Sequence, residues 1–206
     1  MFLTELFEAV SSSPLVIYPG RFQPFHKGHR AVYDFLVKKF GRDNVFIATS
    51  NKVEPPKSPF GFGEKTAFMR LTGVPLDRVV ETRDPYKAHE LTVNYPPETK
   101  LIFAVSEKDM AEDPRFGKWT KKDGSPGYFQ PVPNKLADLR PMSEHGYIMT
   151  VPTFNFTVLG KPMRSASEFR AQFAAADEQT QRALVKDLFG AFDEDVFRIM
   201  QQKITA

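Results

Sequence analysis

Two histidines three residues apart, His26 and His29, stand in the stretch Gly20-Arg21-Phe22-Gln23-Pro24-Phe25-His26-Lys27-Gly28-His29. At that spacing on a helical turn the rings share one face, so both can offer ring N–H donors to the same phosphate oxygens. A helix start adds unpaired backbone N–H groups and a positive dipole end, both suited to an anion. Gly28 between them has no side chain to hold a nucleotide away. Arg21 and Lys27 bring positive charge. Phosphoryl and nucleotidyl transfers ask mainly for in-line positioning and positive charge where negative charge builds up. The pair also has blander readings, as capping histidines or zinc ligands. With only His89 and His145 left and no cysteine, a three-ligand zinc site has little to draw on. Phe22 and Phe25, taken alone, read as core.

The elements that would hold this cluster follow from hydrophobic patterning. Leu15 to Tyr18 is a short continuous apolar run ended by Pro19-Gly20, the pattern of a strand buried on both faces of a parallel sheet. Residues 28–40 then carry apolar side chains at helical spacing, and Gly41 ends them. Val45 to Thr49 reads as a second strand. A helix over 62–71, a strand over 78–82, a helix near 86–91 and a strand over 101–105 continue the alternation, which means an α/β fold with a parallel sheet. The His-x-x-His stretch therefore lies at the carboxyl end of the first strand, where open α/β sheets bind ligands. Beyond Ser106 the pattern fails: residues 113–142 are rich in proline and glycine without periodicity, a long insertion at about 110–145. Strands are expected at 147–151 and about 154–159, and two or three helices from about 165 to 206. Their apolar positions Leu184, Val185, Leu188, Phe189, Phe192, Val196, Phe197, Ile199 and Met200 either close the core, the expectation here, or form the seam of a homo-oligomer.

Composition narrows the partners. The chain has 206 residues, 41% of them hydrophobic, enough for one core and short for two, so a single domain over 1–206 is expected. A net charge of +3, dispersed along the sequence, fits compact anionic substrates better than duplex nucleic acid. Zero cysteines exclude a disulfide framework and fit a reducing compartment, so the cytoplasm is expected. Met1 to Val10 carries Glu5 and Glu8 without a basic start, unlike a secretory signal, and no run reaches membrane-spanning length.

Gly20 to His29 matches the G-x-F-x-P-x-H-x-G-H signature, and so the chain resembles the HxGH nucleotidylyltransferases; the wording GRFQPFHKGH is similar to their nicotinamide mononucleotide adenylyltransferase branch. The resemblance implies a Rossmann-like, doubly wound parallel sheet with C-terminal helices. It also implies that His26 and His29 grip the triphosphate and stabilise departing pyrophosphate, while the backbone of Gly20, Arg21, Phe22 and Gln23 contacts the α-phosphate. A second family element at the start of a late helix falls on Met163 to Arg170, giving Ser165, Ser167 and Arg170 as further phosphate contacts. Ser165 with Glu168 is also a capping box that predicts a helix start by itself; Ser167 and Arg170 are what a phosphate site adds. Ala166 and Phe169 depart from the family wording, and Arg164 stands where an apolar residue is common. Ser58-Pro59-Phe60 and Glu64-Lys65 look like the family's elements after the second strand. Ser106-Glu107-Lys108-Asp109 is similar to its turn after the fourth, where either Glu107 or Asp109 would accept from ribose hydroxyls.

The implied reaction joins ATP to a phosphorylated acceptor, nicotinamide mononucleotide first, with release of pyrophosphate and Mg²⁺ bridging the triphosphate; no carboxylate cage for a resident metal is visible. CTP or another acceptor is the near alternative, and a non-catalytic nucleotide sensor the distant one. Carboxylate adenylation would want a K-M-S-K-S-like loop where Arg164-Ser165-Ala166-Ser167 stands. Gly61 to Thr66 is not a Walker loop, since Glu64 separates glycine from lysine. No G-x-G-x-x-G follows the first strand. Arg115, Lys118 and Trp119 in the insertion read in two ways: as an acceptor clamp, or as a solvated charge run beside a packing tryptophan.

Overall fold

A computed structural model of the chain describes residues 13–112, 117–163 and 165–205. Strands β1 (Leu15–Pro19), β2 (Val45–Thr49), β3 (Val79–Glu81), β4 (Leu101–Ser106), β5 (Phe129–Pro131) and β6 (Gly146–Val151) form one sheet in the order β3-β2-β1-β4-β6-β5. Every neighbouring pair is parallel. Helices α1 (Lys27–Phe40), α2 (Phe62–Leu71), α3 (His89–Thr92) and α4 (Glu107–Glu112) connect them. The strand order runs outward from β1 through β2 to β3 and restarts on β1's other side at β4. The topological switch point therefore lies between the carboxyl ends of β1 and β4, where a doubly wound sheet opens a crevice.

Period-two alternation divides the core. Val16, Tyr18, Val45, Ile47, Ile102, Ala104, Tyr147 and Met149 face one layer; Leu15, Ile17, Phe46, Ala48, Leu101, Phe103 and Ile148 face the other. The first layer is closed by α1, α2 and the carboxyl-terminal helices α5 (Ala166–Ala175), α6 (Glu178–Phe189) and α7 (Glu194–Ile204). Leu184, Val185, Leu188, Phe189, Val196, Phe197 and Met200 are all buried in this layer, so these faces close the chain's own core. Shorter pieces cover the second layer, with Leu91 of α3 buried in it and Tyr86, Tyr95, Trp119, Phe129 and Met142 packed against it.

Three departures from the sequence expectation have local causes. The insertion contributes β5, whose three residues are too few to show a period and which sits on the sheet edge where Pro131 is tolerated. The expected strand at 154–159 is one arm of an antiparallel hairpin, β7 (Phe156–Val158) with β8 (Lys161–Met163). Its turn places Leu159 and Gly160 both at positive φ, 49° and 76°, a two-residue hairpin turn that usually advertises itself with asparagine or aspartate rather than leucine. Finally, α1 starts at Lys27 with His26 as its cap, one residue before the expected start at Gly28.

Candidate active site

The site begins where β1 runs out. Gly20 must lack a side chain, because a Cβ there would lie 2.5 Å from the ring of Phe22. Phe22, at a φ of 47°, folds that ring back into the core, and Phe25 is fully buried behind it. The chain then enters α1 through a reciprocal cap: His26 Nδ1 accepts from the His29 backbone N–H at 3.4 Å, and His29 Nδ1 accepts from the His26 N–H at 3.3 Å. Histidines thus do at both ends what serine and glutamate do in an ordinary capping box. The consequence is chemical. An Nδ1 that accepts carries no proton, so both rings are neutral and hold their proton on Nε2.

Packing enforces the same state. The two imidazoles stack at 3.6 Å, Phe156 stacks on the other face of His26 at 4.2 Å, and Phe22 sets its edge against His29 at 5.0 Å. Burial pushes the His26 pKa well below its ordinary value, with His29 beside it adding to the shift, and pushes His29 down to about 3. The pair presents two Nε2–H donors at the start of α1, beside the switch point.

Packing gives Gly28 a reason of its own. The space its Cβ would take is filled by protein, Phe156 Cδ1 lying 2.9 Å and His26 Cε1 3.1 Å away. The glycine admits the aromatic stack.

Arg170 reaches the same turn from α5. Its guanidinium donates to the backbone carbonyl of Gln23, to that of Lys57 at 3.3 Å and to Ser167 Oγ at 3.2 Å. Burial lowers its pKa, and the like charge of Arg21 adds to that. Ser165 caps α5 by accepting from Glu168 N–H at 3.1 Å, as the capping reading expected. Lys57, Ser167, Arg170 and Lys203 line a cleft of about 410 Å³ beside this junction. Arg164 falls outside the described residues.

Other residues of the expected site are engaged within the protein. The Gln23 side chain grips the Phe60 backbone, donating to its carbonyl and accepting from its N–H at 2.9 Å each, and so joins the histidine loop to the β2–α2 loop. The Phe22 ring supports His29 from within the core. Lys27 Nζ is paired with Asp187 of α6 at 3.3 Å, drawn off toward that helix. After β4, Ser106 Oγ donates to Asp109 Oδ2 at 2.9 Å and accepts the Asp109 N–H, while Glu107 is exposed. Asp109 also helps, after burial itself, to keep the Tyr18 phenol protonated. Of the two carboxylates, Asp109 is the one turned toward β1.

In the insertion, Arg115 lies outside the described residues and Lys118 is exposed. Trp119 packs against the second core layer, which fits the packing tryptophan of the blander reading. An apolar cavity of about 550 Å³, with Leu101 and Met142 in its wall, opens near the amino end of β4, the opposite end of the sheet from the histidines. A polar pocket of about 530 Å³ lies instead at the carboxyl ends of β2 and β3, lined by Asn51, Lys52, Glu81, Thr82, Arg83 and Glu90. The Thr82 hydroxyl there is buried and has no hydrogen-bond partner.

Lys65, read from the sequence only as part of a motif, is buried and donates to Thr49 Oγ1 at 3.2 Å and to the Ser50 carbonyl at 2.6 Å; burial brings its pKa down to about 8. Phe156 and Asp187 went unread because nothing local marks them. Among the described residues no group of three His, Asp or Glu side chains could hold a metal, and no helix is long and apolar enough to cross a membrane.

Comparison with known proteins adds independent observations. The family model described as cytidylyltransferase-like matches residues 17–131. The nicotinamide-nucleotide adenylyltransferase of Ignicoccus hospitalis is 24% identical over 151 residues, 60% of this chain and 88% of that protein. That of Saccharolobus solfataricus is 29% identical over 98 residues, 43% of this chain and 56% of that protein. Among solved structures, a Francisella tularensis bifunctional NMN adenylyltransferase/ADP ribose pyrophosphatase matches with a TM-score of 0.52 at 18% identity over 92% of this chain, which spans about half (49%) of that protein. The Plasmodium falciparum nicotinic acid mononucleotide adenylyltransferase complexed with APC matches with a TM-score of 0.50 at 11% identity, covering 92% of this chain and 95% of that one. At such identities the structural likeness speaks for the fold alone.

Proposed function

The chain belongs to the cytidylyltransferase-like family, and from that premise we propose that it is a nucleotidyltransferase that moves AMP from ATP to nicotinamide mononucleotide, giving NAD and pyrophosphate. The observation that carries this reading is the reciprocal histidine cap, which leaves two Nε2–H donors side by side at a helix start with Arg170 bound into the same loop. The names of the relatives from Ignicoccus hospitalis and Saccharolobus solfataricus support the choice of acceptor.

In this reading an oxygen of the acceptor's phosphate attacks the α-phosphorus in line. The new P–O bond forms as the bond from the α-phosphorus to the α–β bridging oxygen breaks, and pyrophosphate leaves with that electron pair. His26, His29 and Arg170 donate to the oxygens on which this charge accumulates. The backbone of Gly20 to Gln23 lies against the α-phosphate; Ser165 and Ser167 contribute at the start of α5. Ser106 and Asp109 face the ribose from the end of β4. The acceptor occupies the polar pocket at the ends of β2 and β3, where Arg83 and Lys52, the latter paired with Glu54 at 2.7 Å, stand beside Glu81 and Glu90, and Thr82 has an unused hydroxyl. Mg²⁺ enters with the triphosphate as part of the substrate, held by phosphate oxygens.

Pyrophosphate release measured with ATP and CTP against a panel of phosphorylated acceptors tests this. ATP with nicotinamide mononucleotide is expected to turn over fastest. Preference for CTP would move the protein to cytidylyl transfer, and tight nucleotide binding without turnover on any pair would make it a sensor.

A further inference from the structure

We propose that the β7–β8 hairpin is the positioning element of the histidine pair, with Phe156 as the residue that holds the His26 ring and Asp187 as the latch that holds the hairpin; the inference rests on the nucleotidyl-transfer reading for its catalytic consequence only. One carboxylate oxygen, Asp187 Oδ2, accepts from two partners: Lys27 Nζ at 3.3 Å, in the first turn of α1, and the Leu159 backbone N–H at 2.6 Å, in the hairpin turn. A single atom on α6 therefore ties the turn of the hairpin to the residue next to His26. The left-handed backbone at Leu159 belongs to the same turn whose amide the carboxylate receives. Val158, fully buried, anchors that arm to the core, while Phe156, two residues earlier on the same face, lies flat on His26 with 23° between the ring planes.

The stack is a built feature, because the backbone beneath it is shaped for it. A methyl group at position 28 would come 2.9 Å from the Phe156 ring, so only glycine lets the phenyl close on the imidazole. The sandwich Phe156, His26, His29 holds His26 with Nδ1 on the helix amide and leaves Nε2 as its donor. Without Phe156, water reaches one face of the ring, and the 3.4 Å cap bond competes with solvent. Charged and titratable groups on the elements packed around His26 include His29, Lys27 and Arg30 on its own helix, Arg21 in the preceding turn, Lys161 on β8, Asp187 on α6 and Arg170 on α5; of these, His29 is the one that acts on its pKa.

The test reads the ring directly. Imidazole nitrogen chemical shifts in the full chain report which nitrogen carries the proton, and a pH titration reports its pKa. Wild type is expected to show His26 as the Nε2–H form without titration near neutral pH. In Phe156→Ala the ring is expected to sample both tautomers and to titrate near the ordinary histidine value, and Phe156→Tyr to restore the wild-type signals. Asp187→Ala, which loses both links, is expected to move in the same direction, and Asp187→Asn, which keeps an acceptor for Leu159, to move less. For turnover, kcat in Phe156→Ala should fall roughly tenfold or more while KM for the triphosphate stays within about twofold, the signature of a mispositioned donor. Unchanged tautomer and pKa in Phe156→Ala would overturn the proposal, as would a tyrosine variant that fails to rescue them. Because the spectra are taken on the free protein, a shifted ring with no turnover in any variant, wild type included, would leave the clamp standing and sink the nucleotidyl-transfer reading instead.

Discussion

His29 serves two purposes that can be separated by substitution. Its Nδ1 caps α1 through the His26 amide, and in the proposed reaction its Nε2–H donates to phosphate. Replacing it by alanine removes the cap, worth about 1 kcal/mol, and the ring contacts with His26 and Phe22, together about another 1 kcal/mol. A loss of about 2 kcal/mol in a chain of this size lowers Tm by about 4–8 °C. Replacing it by glutamate keeps a capping acceptor at the third helical position, since a carboxylate there is the usual partner of a capping box. The Tm loss should then be about half as large. Activity should run the other way. Either variant loses a donor to the developing charge, which costs roughly 10²–10³-fold in kcat, and the glutamate also brings a negative charge among phosphates. Stability should rank wild type, glutamate, alanine, whereas turnover should rank wild type, alanine, glutamate. Thermal unfolding and steady-state pyrophosphate release on the same preparations give both orders. If turnover simply follows stability, with the glutamate variant the more active of the two, His29 is a helix cap and not a phosphate ligand.

Three further outcomes are expected. Because His29 is held at about 3 in the folded protein and titrates near 6.5 when unfolded, the unfolded chain binds more protons between those values, and stability is lost as pH falls through that window. Between pH 7 and pH 5 His29 alone should cost about 2 kcal/mol, seen by denaturant titration and absent from the His29→Ala curve. Gln23→Ala leaves the buried Phe60 N–H and carbonyl without partners and should lower stability by about 2–4 kcal/mol, checked by thermal unfolding; a change below a tenth of that would mean the two loops are held by other contacts. Arg170→Lys replaces a planar fork that reaches Gln23, Lys57 and Ser167 by a point donor that cannot reach all three. It should reduce kcat/KM by roughly 10²-fold with little change in Tm, measured by initial rates and calorimetry.

The architecture was largely legible because β1, β2 and β4 are continuous apolar runs. Such runs arise when both faces of a parallel strand are buried, and no partner from elsewhere is needed to recognise them. Helix α5 was legible from Ser165 and Glu168, a signal confined to four residues. What escaped depends on partners far along the chain. The backbone of Gln23 reads as part of a phosphate loop, while its side chain answers a backbone amide 37 positions away. Lys27 is paired with a carboxylate 160 residues on, which no local pattern announces. Gly28 reads as room for a nucleotide; what the sequence does not show is the phenyl ring packed there from a hairpin whose turn, Leu159-Gly160, carries no recognisable turn dipeptide. The histidine spacing showed that the rings share a face. Only in the folded chain does each cap the other's amide, which fixes where the protons are.

The central claim is that the α-phosphoryl group, and not the terminal one, is what this site transfers. Incubating the protein with nicotinamide mononucleotide, Mg²⁺ and ATP labelled in parallel at the α- or the γ-phosphate tests it most directly. The α-label should appear in a dinucleotide and the γ-label in pyrophosphate, at equal rates and with none retained on the protein. A γ-label carried into the acceptor product, or both labels remaining in ATP while the nucleotide is tightly bound, would contradict it.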